Sequence, residues 1–219
     1  MVKAMQKVLA FFGAFNPPTN AHIKLAEYAM VYLAMDGVIF VPSKSDYITD
    51  TQAKDYAFED AFRLDMLRDL SAVYPWLEVS DHDIRSESQP RTYDTLCALK
   101  EEGYDPVLLI GSDVLTKLQT DWLHVDRIAK EFGIACLNRD GADYQAFVEA
   151  DPFLSPFKDC FRFVPPKEDF FAISSTDVRA KFDASLSAWK ELCGAVDPVV
   201  SAHLLAPFMH IVLGESNET

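Results

Sequence analysis

The chain has 219 residues, of which 49% are hydrophobic and 25% are charged, and these proportions are typical of one globular domain. Its formal net charge of -14 leaves no excess of Lys and Arg to displace counterions from a phosphate backbone, which argues against a nucleic-acid partner. No apolar run approaches the ~20 residues of a membrane-spanning helix, and the first apolar run is too short for a signal peptide. We therefore expect a cytoplasmic protein that binds no membrane.

Apolar periodicity predicts strands and helices that alternate along the chain. The expected strands occupy residues 8–12, 37–41, 77–80, 106–110, 132–138 and 160–164. The expected helices occupy residues 20–35, 57–74, 93–102, 175–186 and 198–213, with two more near 113–119 and 123–131. This alternation is typical of an α/β fold with a doubly wound parallel sheet.

Two stretches fall outside this alternation. Residues 42–56 and 139–158 show no regular period, so we expect them to be loops that act as mobile lids or determine specificity. Residues 1–214 are expected to form a single domain, and the polar residues 215–219 a disordered tail.

The four cysteines indicate neither a disulfide framework nor a metal site. Each lies more than twenty residues from the next, which is not the spacing of metal ligands. We expect buried thiols at all four positions, which are Cys97, Cys136, Cys160 and Cys193.

The first motif lies where the first strand gives way to a helix. Gly13 and Ala14 follow the apolar strand and leave their backbone N–H groups open to a phosphate. Thr19 is the predicted N-cap of the next helix, which places His22 in the first turn, at the positive end of the helix dipole. An anion is stabilised at this point, although a plain cap and a core histidine account for the same two residues.

The second motif is another helix start, after the strand at 160–164. Ser174 and Asp177 satisfy the capping-box pattern, which alone indicates only where a helix begins. Arg179 follows Ser175 by four residues and therefore shares its helix face. Together the motifs predict two helix N-termini that face phosphate groups.

The two motifs resemble the signature sequences of the nucleotidyltransferase superfamily, and in particular those of the nicotinamide/nicotinate mononucleotide adenylyltransferases. GAFNPPTNAH at 13–22 is similar to the (H/T)xGH motif, and ISSTDVR at 173–179 to the ISSTxxR motif. Further similar segments follow in the family's order, and the resemblance covers about residues 8–185. These segments are VPSKSDY at 41–47, TYDTL at 92–96, IGSD at 110–113 with Trp122, and LNR at 137–139.

The resemblance implies a Rossmann-like sheet with the site at the carboxyl edge of its strands. It also implies transfer of the adenylyl group of ATP, supplied with Mg²⁺, to nicotinate or nicotinamide mononucleotide. The products would be deamido-NAD or NAD and pyrophosphate, as in NAD biosynthesis. These small molecules are the expected partners, and the oligomeric state stays open, a homo-oligomer included.

The resemblance also implies a role for each matching residue, and it implies no metal ligand. His22, Thr19 and Arg179 would be catalytic, with His22 donating to the α- or β-phosphate oxygens in the transition state. The implied ATP-binding residues are Gly13, Ala14, Phe15, His22, Gly111, Asp113, Ser174, Ser175, Thr176 and Arg179. The implied pyridine-nucleotide residues are Tyr47, Tyr93, Thr95, Trp122, Arg139 and Lys44, although core packing or a solvated surface also explains such residues.

Departures from the family pattern leave the acceptor open. Ile48 stands where relatives with a similar loop carry lysine, and whether Lys44 supplies that charge is undecided. The segment 92–95 is shorter than in bacterial nicotinate enzymes, whereas TNAH at 19–22 favours relatives that accept the amide or both. The alternatives are a related nucleotidyltransferase acting on phosphopantetheine, a sugar or glycerol phosphate, or FMN, and a non-catalytic nucleotide-binding homologue.

Overall fold

A six-stranded parallel sheet in the order β3-β2-β1-β4-β5-β6 forms the centre of the molecule. The computed structural model describes residues 5–52, 57–167, 175, 178 and 194–212. The strands are β1 (Gln6–Gly13), β2 (Gly37–Pro42), β3 (Leu77–Val79), β4 (Tyr104–Gly111), β5 (Ile134–Leu137) and β6 (Phe161–Val164). The chain winds first to one side of β1 and then to the other, which is the Rossmann-like arrangement.

Helices cover both faces of this sheet. They are α1 (Asn20–Tyr32), α2 (Asp60–Val73), α3 (His82–Arg85), α4 (Thr92–Glu101), α5 (Ser112–Leu115), α6 (Leu118–Asp121), α7 (Val125–Glu131), α8 (Tyr144–Ala150) and α9 (Pro198–Val212). Ser175 and Val178 are helical as well. A π-helical turn at Tyr47–Thr51 and a 3-10 helix at Ser155–Cys160 lie in the connections.

Alternate strand residues pack into two separate apolar cores. Leu9 belongs to the core that includes residues of α1, α2 and α9, whereas its neighbour Val8 belongs to the core that includes residues of α4 and α7. Both side chains are fully buried. Burial on both faces is the reason why the central strands are continuous apolar runs in the sequence.

The α/β fold class and the parallel sheet are confirmed, and each expected strand is present with ends that differ by a few residues. The first helix ends at Tyr32 rather than at residue 35, since Ala34 adopts a left-handed φ of 53°. Residues 113–119 form parts of two short helices, α5 and α6, rather than one.

The interpretation of 42–56 and 139–158 as irregular loops is wrong in part. The first contains the π-helical turn, and the second contains α8 and the 3-10 helix. Helix α8 buries only Val148, and so short an apolar stripe shows no period in the sequence. The sequence does not predict helix α3 either, because this helix has no apolar stripe.

Two expectations fall wholly or largely outside the described residues. Of the helix expected at 175–186, only Ser175 and Val178 are described, and the tail expected at 215–219 is not described at all. None of the described helices combines the length and the apolar character needed to cross a membrane.

Candidate active site

The carboxyl ends of β1 and β4 lie side by side at the centre of the sheet. The two strands pair in parallel, and the chain leaves β1 for β2 on one side and continues through β4 on the other. Ligands of open α/β sheets bind at such a topological switch point. Gly13 ends β1 and Gly111 ends β4, so the structure brings the GAFNPPTNAH and IGSD segments to the same edge.

The loop after β1 folds back over its own glycine. Phe15 has a φ of 43° and a buried ring that stacks on Phe40 at 4.8 Å between centroids. A Cβ on Gly13 would lie 3.1 Å from the Phe15 ring, which is tighter than ordinary contact. Gly13 therefore makes room for an aromatic ring, a reason that differs from the open phosphate approach expected from the sequence.

The backbone of this loop is held from inside by Asn16. Its side chain is fully buried, and its Oδ1 accepts a hydrogen bond of 2.8 Å from the Phe58 backbone N–H. This contact ties the loop to the segment that enters α2. The sequence does not predict this role for Asn16, because one asparagine beside two prolines is an ordinary turn signal.

Thr19 and His22 form a local unit at the start of α1. The Thr19 backbone N–H donates to His22 Nδ1 at 3.0 Å, and the Thr19 hydroxyl lies 2.7 Å from the same nitrogen. Because Nδ1 accepts from the backbone, the imidazole proton resides on Nε2. The Phe15 ring meets the imidazole edge to face at 5.3 Å. His22 is thus fixed as an Nε2–H donor.

The structure brings the two motifs into contact. Ser175 Oγ donates a hydrogen bond of 2.9 Å to the Pro17 carbonyl, across 158 residues of sequence. Val178, one turn further, is 1% exposed and packs into the core with α1 and α2. Ser175 and the start of α1 therefore lie at the same edge of the sheet. The expected ATP ligands Ser174, Thr176 and Arg179 lie outside the described residues.

Gly111, Asp113 and Arg139 form a second group at the end of β4. Arg139 Nη1 lies 3.2 Å from Asp113 Oδ1, and both side chains are exposed to solvent. The Asp113 carboxylate lies so close to the Gly111 backbone that a Cβ there would collide with it. The buried Ser112 hydroxyl accepts from the Arg139 N–H at 3.2 Å and joins the ends of β4 and β5.

Gly111→Ala is expected to leave the chain folded and to raise the KM for ATP. The expected rise is about tenfold, because one charge-assisted hydrogen bond to the substrate would be lost. The added methyl would displace the Asp113 carboxylate, which the resemblance places among the ATP-binding residues. Steady-state kinetics would measure the change, and Asp113→Ala should produce no further loss when combined with it. An unchanged KM would show that the carboxylate contacts no substrate.

Lys44 is bound to backbone rather than free for a phosphate. Its Nζ donates to the Ile84 carbonyl at 3.1 Å and to the Ser86 carbonyl at 3.0 Å. Its own backbone N–H donates to Gln89 Oε1 at 2.8 Å. The side chain thus caps α3 at its C-terminal end, where a cation is favourable. Ile48 is fully buried, so a lysine there would need a different local packing.

Thr95 belongs to a buried polar network beside Lys44. Its hydroxyl donates to Asp83 Oδ1 at 2.6 Å, and Gln89 Nε2 donates to Asp83 Oδ2 at 2.6 Å. Thr95 is fully buried and Asp83 is 1% exposed. The network joins the ends of β2, α3 and the start of α4. Asp83 was not singled out in the sequence, where one Asp among several gives no signal of burial.

Asp83→Asn is expected to make the free energy of unfolding less dependent on pH. Burial raises the pKa of the Asp83 carboxyl, while hydrogen bonds from Thr95 and Gln89 and the charge of His82 act in the opposite sense. A raised folded-state pKa gives stability that is present below the unfolded pKa and is lost as pH rises through the folded pKa. The free energy of unfolding, measured in urea, should fall less between about pH 4 and about pH 8 in Asp83→Asn than in the wild type. Identical pH profiles would refute the assignment.

The three aromatic candidates occupy different surroundings. Tyr93 is 7% exposed, donates to Glu131 at 2.9 Å and stacks under the Arg127 guanidinium at 4.0 Å, so it joins α4 to α7. Trp122 is half-buried against the core that contains Val8. Tyr47 is half-buried at the start of the π-helical turn.

The cysteine expectation is confirmed only at Cys136, which is fully buried and whose pKa burial raises to about 12. Cys97 and Cys160 are half-buried thiols, and Cys193 lies outside the described residues. Among the described residues, His, Cys, Asp and Glu side chains form no group of three or more that could hold a metal ion.

Comparison with known proteins places this geometry in a family. A family model described as Cytidylyltransferase-like matches residues 10–181. A protein of Moorella thermoacetica named "Probable nicotinate-nucleotide adenylyltransferase" is 32% identical over 172 residues, which are 76% of each chain. The Caenorhabditis elegans protein named "Nicotinamide/nicotinic acid mononucleotide adenylyltransferase 2" is 27% identical over 187 residues, covering 77% of this chain and 83% of its own.

A solved structure shows the same fold. The Plasmodium falciparum nicotinic acid mononucleotide adenylyltransferase complexed with NaAD aligns with a TM-score of 0.67 at 15% identity, over 94% of this chain and 98% of that one. The chain belongs to the cytidylyltransferase-like family and, within it, to the nicotinate-nucleotide adenylyltransferases.

Proposed function

We propose that this enzyme transfers the adenylyl group of ATP to nicotinate or nicotinamide mononucleotide and releases pyrophosphate. The observation that carries the proposal is the hydrogen bond of 2.9 Å from Ser175 to the Pro17 carbonyl, which joins the two signature motifs. Two helix N-termini at one sheet edge offer backbone donors and positive dipole ends to phosphate groups. The proposed substrates are those that the names of the relatives contain.

The reaction forms one P–O bond and breaks another. An oxygen of the mononucleotide 5′-phosphate attacks the α-phosphorus in line, and the bond from that phosphorus to the β-phosphate oxygen breaks, with its electron pair leaving on pyrophosphate. The attacking phosphate is already ionised near neutral pH, so no general base is required. The barrier depends on holding two polyanions together and on compensating the charge of the leaving group.

His22 is the donor best placed for this charge. Its Nδ1 is occupied by the Thr19 backbone N–H, so Nε2 carries the proton that a phosphate oxygen accepts. Thr19 is fully buried with its hydroxyl on the same Nδ1, which favours a role for Thr19 in orienting the ring rather than in touching phosphate. Thr19 thus acts through His22.

The remaining phosphate contacts follow the resemblance. Ser174, Ser175, Thr176 and Arg179 hold the β- and γ-phosphates, and the backbone of 13–15 faces the nucleotide path. ATP enters as its Mg²⁺ complex, so the ion is part of the substrate. The expected location, the cytoplasm, goes with ATP as the donor and is part of the proposal.

The pyridine nucleotide lies between the ends of β2 and β4. Tyr47 and Trp122 offer half-buried rings for stacking against the flat base. Tyr93, Thr95 and Lys44 already have protein partners, so we propose that they shape this pocket from behind. Arg139 is exposed beside Asp113 and supplies charge at its edge.

Transfer of label from ATP carrying ³²P at the α-phosphorus tests the reaction. Label in a dinucleotide, with unlabelled pyrophosphate released, is the expected result with either mononucleotide. Because the matching family model carries the description Cytidylyltransferase-like, labelled CTP is the parallel donor. Label transfer from CTP alone, or to a phosphate other than a pyridine mononucleotide, would replace the proposal with another nucleotidyltransferase reaction.

A further inference from the structure

Arg63 of α2 is a charged side chain without exposed surface. Its side-chain exposure is 0%, whereas its partner Asp60 is 26% exposed. Arginine is almost never fully buried unless all its donors are satisfied. Burial lowers the pKa of the Arg63 guanidinium, and the Asp60 carboxylate acts in the opposite sense. Neither the signature motifs nor the reaction described above accounts for a buried cation at this point.

The guanidinium joins three segments of the sheet edge. Nη1 donates to the Ala14 carbonyl at 2.7 Å, Nη2 to the Ser43 carbonyl at 2.6 Å, and Nε to the Phe58 carbonyl at 3.0 Å. Nη2 also donates to Asp60 Oδ1 at 2.6 Å. These carbonyls belong to the loop after β1, the loop after β2 and the entry to α2. A planar fork reaches three directions at once, which a lysine ammonium on a flexible stem does not.

The bond to Ala14 fixes the orientation of one peptide group. In a planar trans peptide the carbonyl and the next N–H point in opposite directions. The Ala14 carbonyl points at Arg63, so the Phe15 N–H points away from α2. Within residues 5–52 and 57–167 no acceptor pairs with this N–H. Ala14 is half-buried, and Phe15 packs against the His22 ring at 5.3 Å.

We propose that Arg63 is a positioning residue: its guanidinium holds the Ala14–Phe15 peptide so that the Phe15 N–H donates to a phosphate of the bound nucleotides. The identity of that phosphate rests on the function proposed above. Arg63 itself does not contact substrate, because its side chain has no exposed surface. It acts on the reaction by keeping the loop after β1 beside His22.

Arg63→Lys and Arg63→Gln test this role. Each keeps part of the hydrogen bonding but cannot hold the three carbonyls together. We expect kcat per folded molecule to fall more than about tenfold in both variants, since a donor to the reacting phosphates is misplaced. Matched controls are Arg68→Lys and Arg68→Gln on the same helix, because the Arg68 side chain is 52% exposed and forms its ion pairs with the exposed Asp65 and with Asp81. They should retain the wild-type kcat.

The readout separates positioning from stability. A merely structural arginine would lower the melting temperature and the folded fraction, with kcat per folded molecule within about twofold of wild type, and that result would overturn the proposal. Folded protein is counted by calorimetric titration with MgATP. A fall in kcat per folded molecule that spares the Arg68 variants would support it.

The proposal can also be tested on the wild-type chain, without any variant. Hydrogen exchange of the Phe15 amide, followed by NMR, should slow more than about tenfold when MgATP or a pyridine mononucleotide binds. If the exchange of the Phe15 amide does not slow, the proposal is overturned, and this result stands even if the Arg63 variants do not fold. Should the wild type form no dinucleotide, the proposed function fails, whereas slower exchange of Phe15 in the presence of either nucleotide would still show that its N–H binds a phosphate.

Discussion

His22→Ala is expected to lower kcat by more than about 10²-fold while the affinity for ATP falls much less. The Thr19 N–H binds Nδ1 of the imidazole, which leaves the proton on Nε2, and loss of one preorganised donor to a developing charge has this size of effect. Ground-state binding is spread over two helix N-termini and changes little. Steady-state kinetics together with calorimetric titration of MgATP separates the two quantities.

His203→Ala is the matched control for this prediction. His203 lies between α9 and α2, where its Nε2 is 2.7 Å from Asp69 Oδ2. Its loss should leave kcat within about twofold of wild type, as for surface ion pairs. An equal loss of kcat and of ATP affinity in His22→Ala would mean that His22 only supports the fold of the loop.

Arg179→Met is the second change with a large expected effect, on the order of 10²-fold in kcat/KM. Ser175 lies at the sheet edge through its bond to Pro17, and Arg179 follows it by one helical turn in the sequence. We expect the guanidinium to bind phosphate oxygens in pairs and to compensate the charge of the leaving pyrophosphate. Arg179→Lys should recover only part of the activity, since an ammonium makes no bidentate contact.

Arg162→Met on β6 is the control, because Arg162 is exposed on the strand that precedes this motif. It should retain the wild-type kcat/KM with ATP. Equal losses in Arg162→Met and Arg179→Met would attribute the effect to the net charge of the chain. A wild-type rate for Arg179→Met would remove this arginine from the site.

The parallel sheet could be predicted because its central strands are buried on both faces and therefore form apolar runs, such as those around Leu9 and Leu108. Elements of one or two turns could not be predicted. Helix α8 buries one residue and α3 buries only Asp83, so neither leaves an apolar stripe in the sequence. The strand order could not be predicted either, because it is determined by tertiary packing.

The candidate site likewise contains residues that the sequence predicts and residues that it does not. The motifs located Gly13, His22 and Ser175, because phosphate binding restricts the residues that follow a strand. The positions that support them have no local signal: Arg63 and Asp83 are charged residues on helices, where such residues are mostly exposed, and only the structure shows them buried. The Ala14 and Ser43 carbonyls that Arg63 binds lie 49 and 20 residues away, and Thr95 lies 12 residues from Asp83, and no spacing rule detects such pairs.

The central claim is adenylyl transfer to a pyridine mononucleotide, and the release of pyrophosphate from MgATP tests it most directly. Nicotinate mononucleotide and nicotinamide mononucleotide are supplied separately and then in competition, and the ratio of their kcat/KM values gives the base preference. We predict rapid release with at least one of them and a dinucleotide formed in equal amount. Binding of MgATP without pyrophosphate release in the presence of either mononucleotide would contradict the claim.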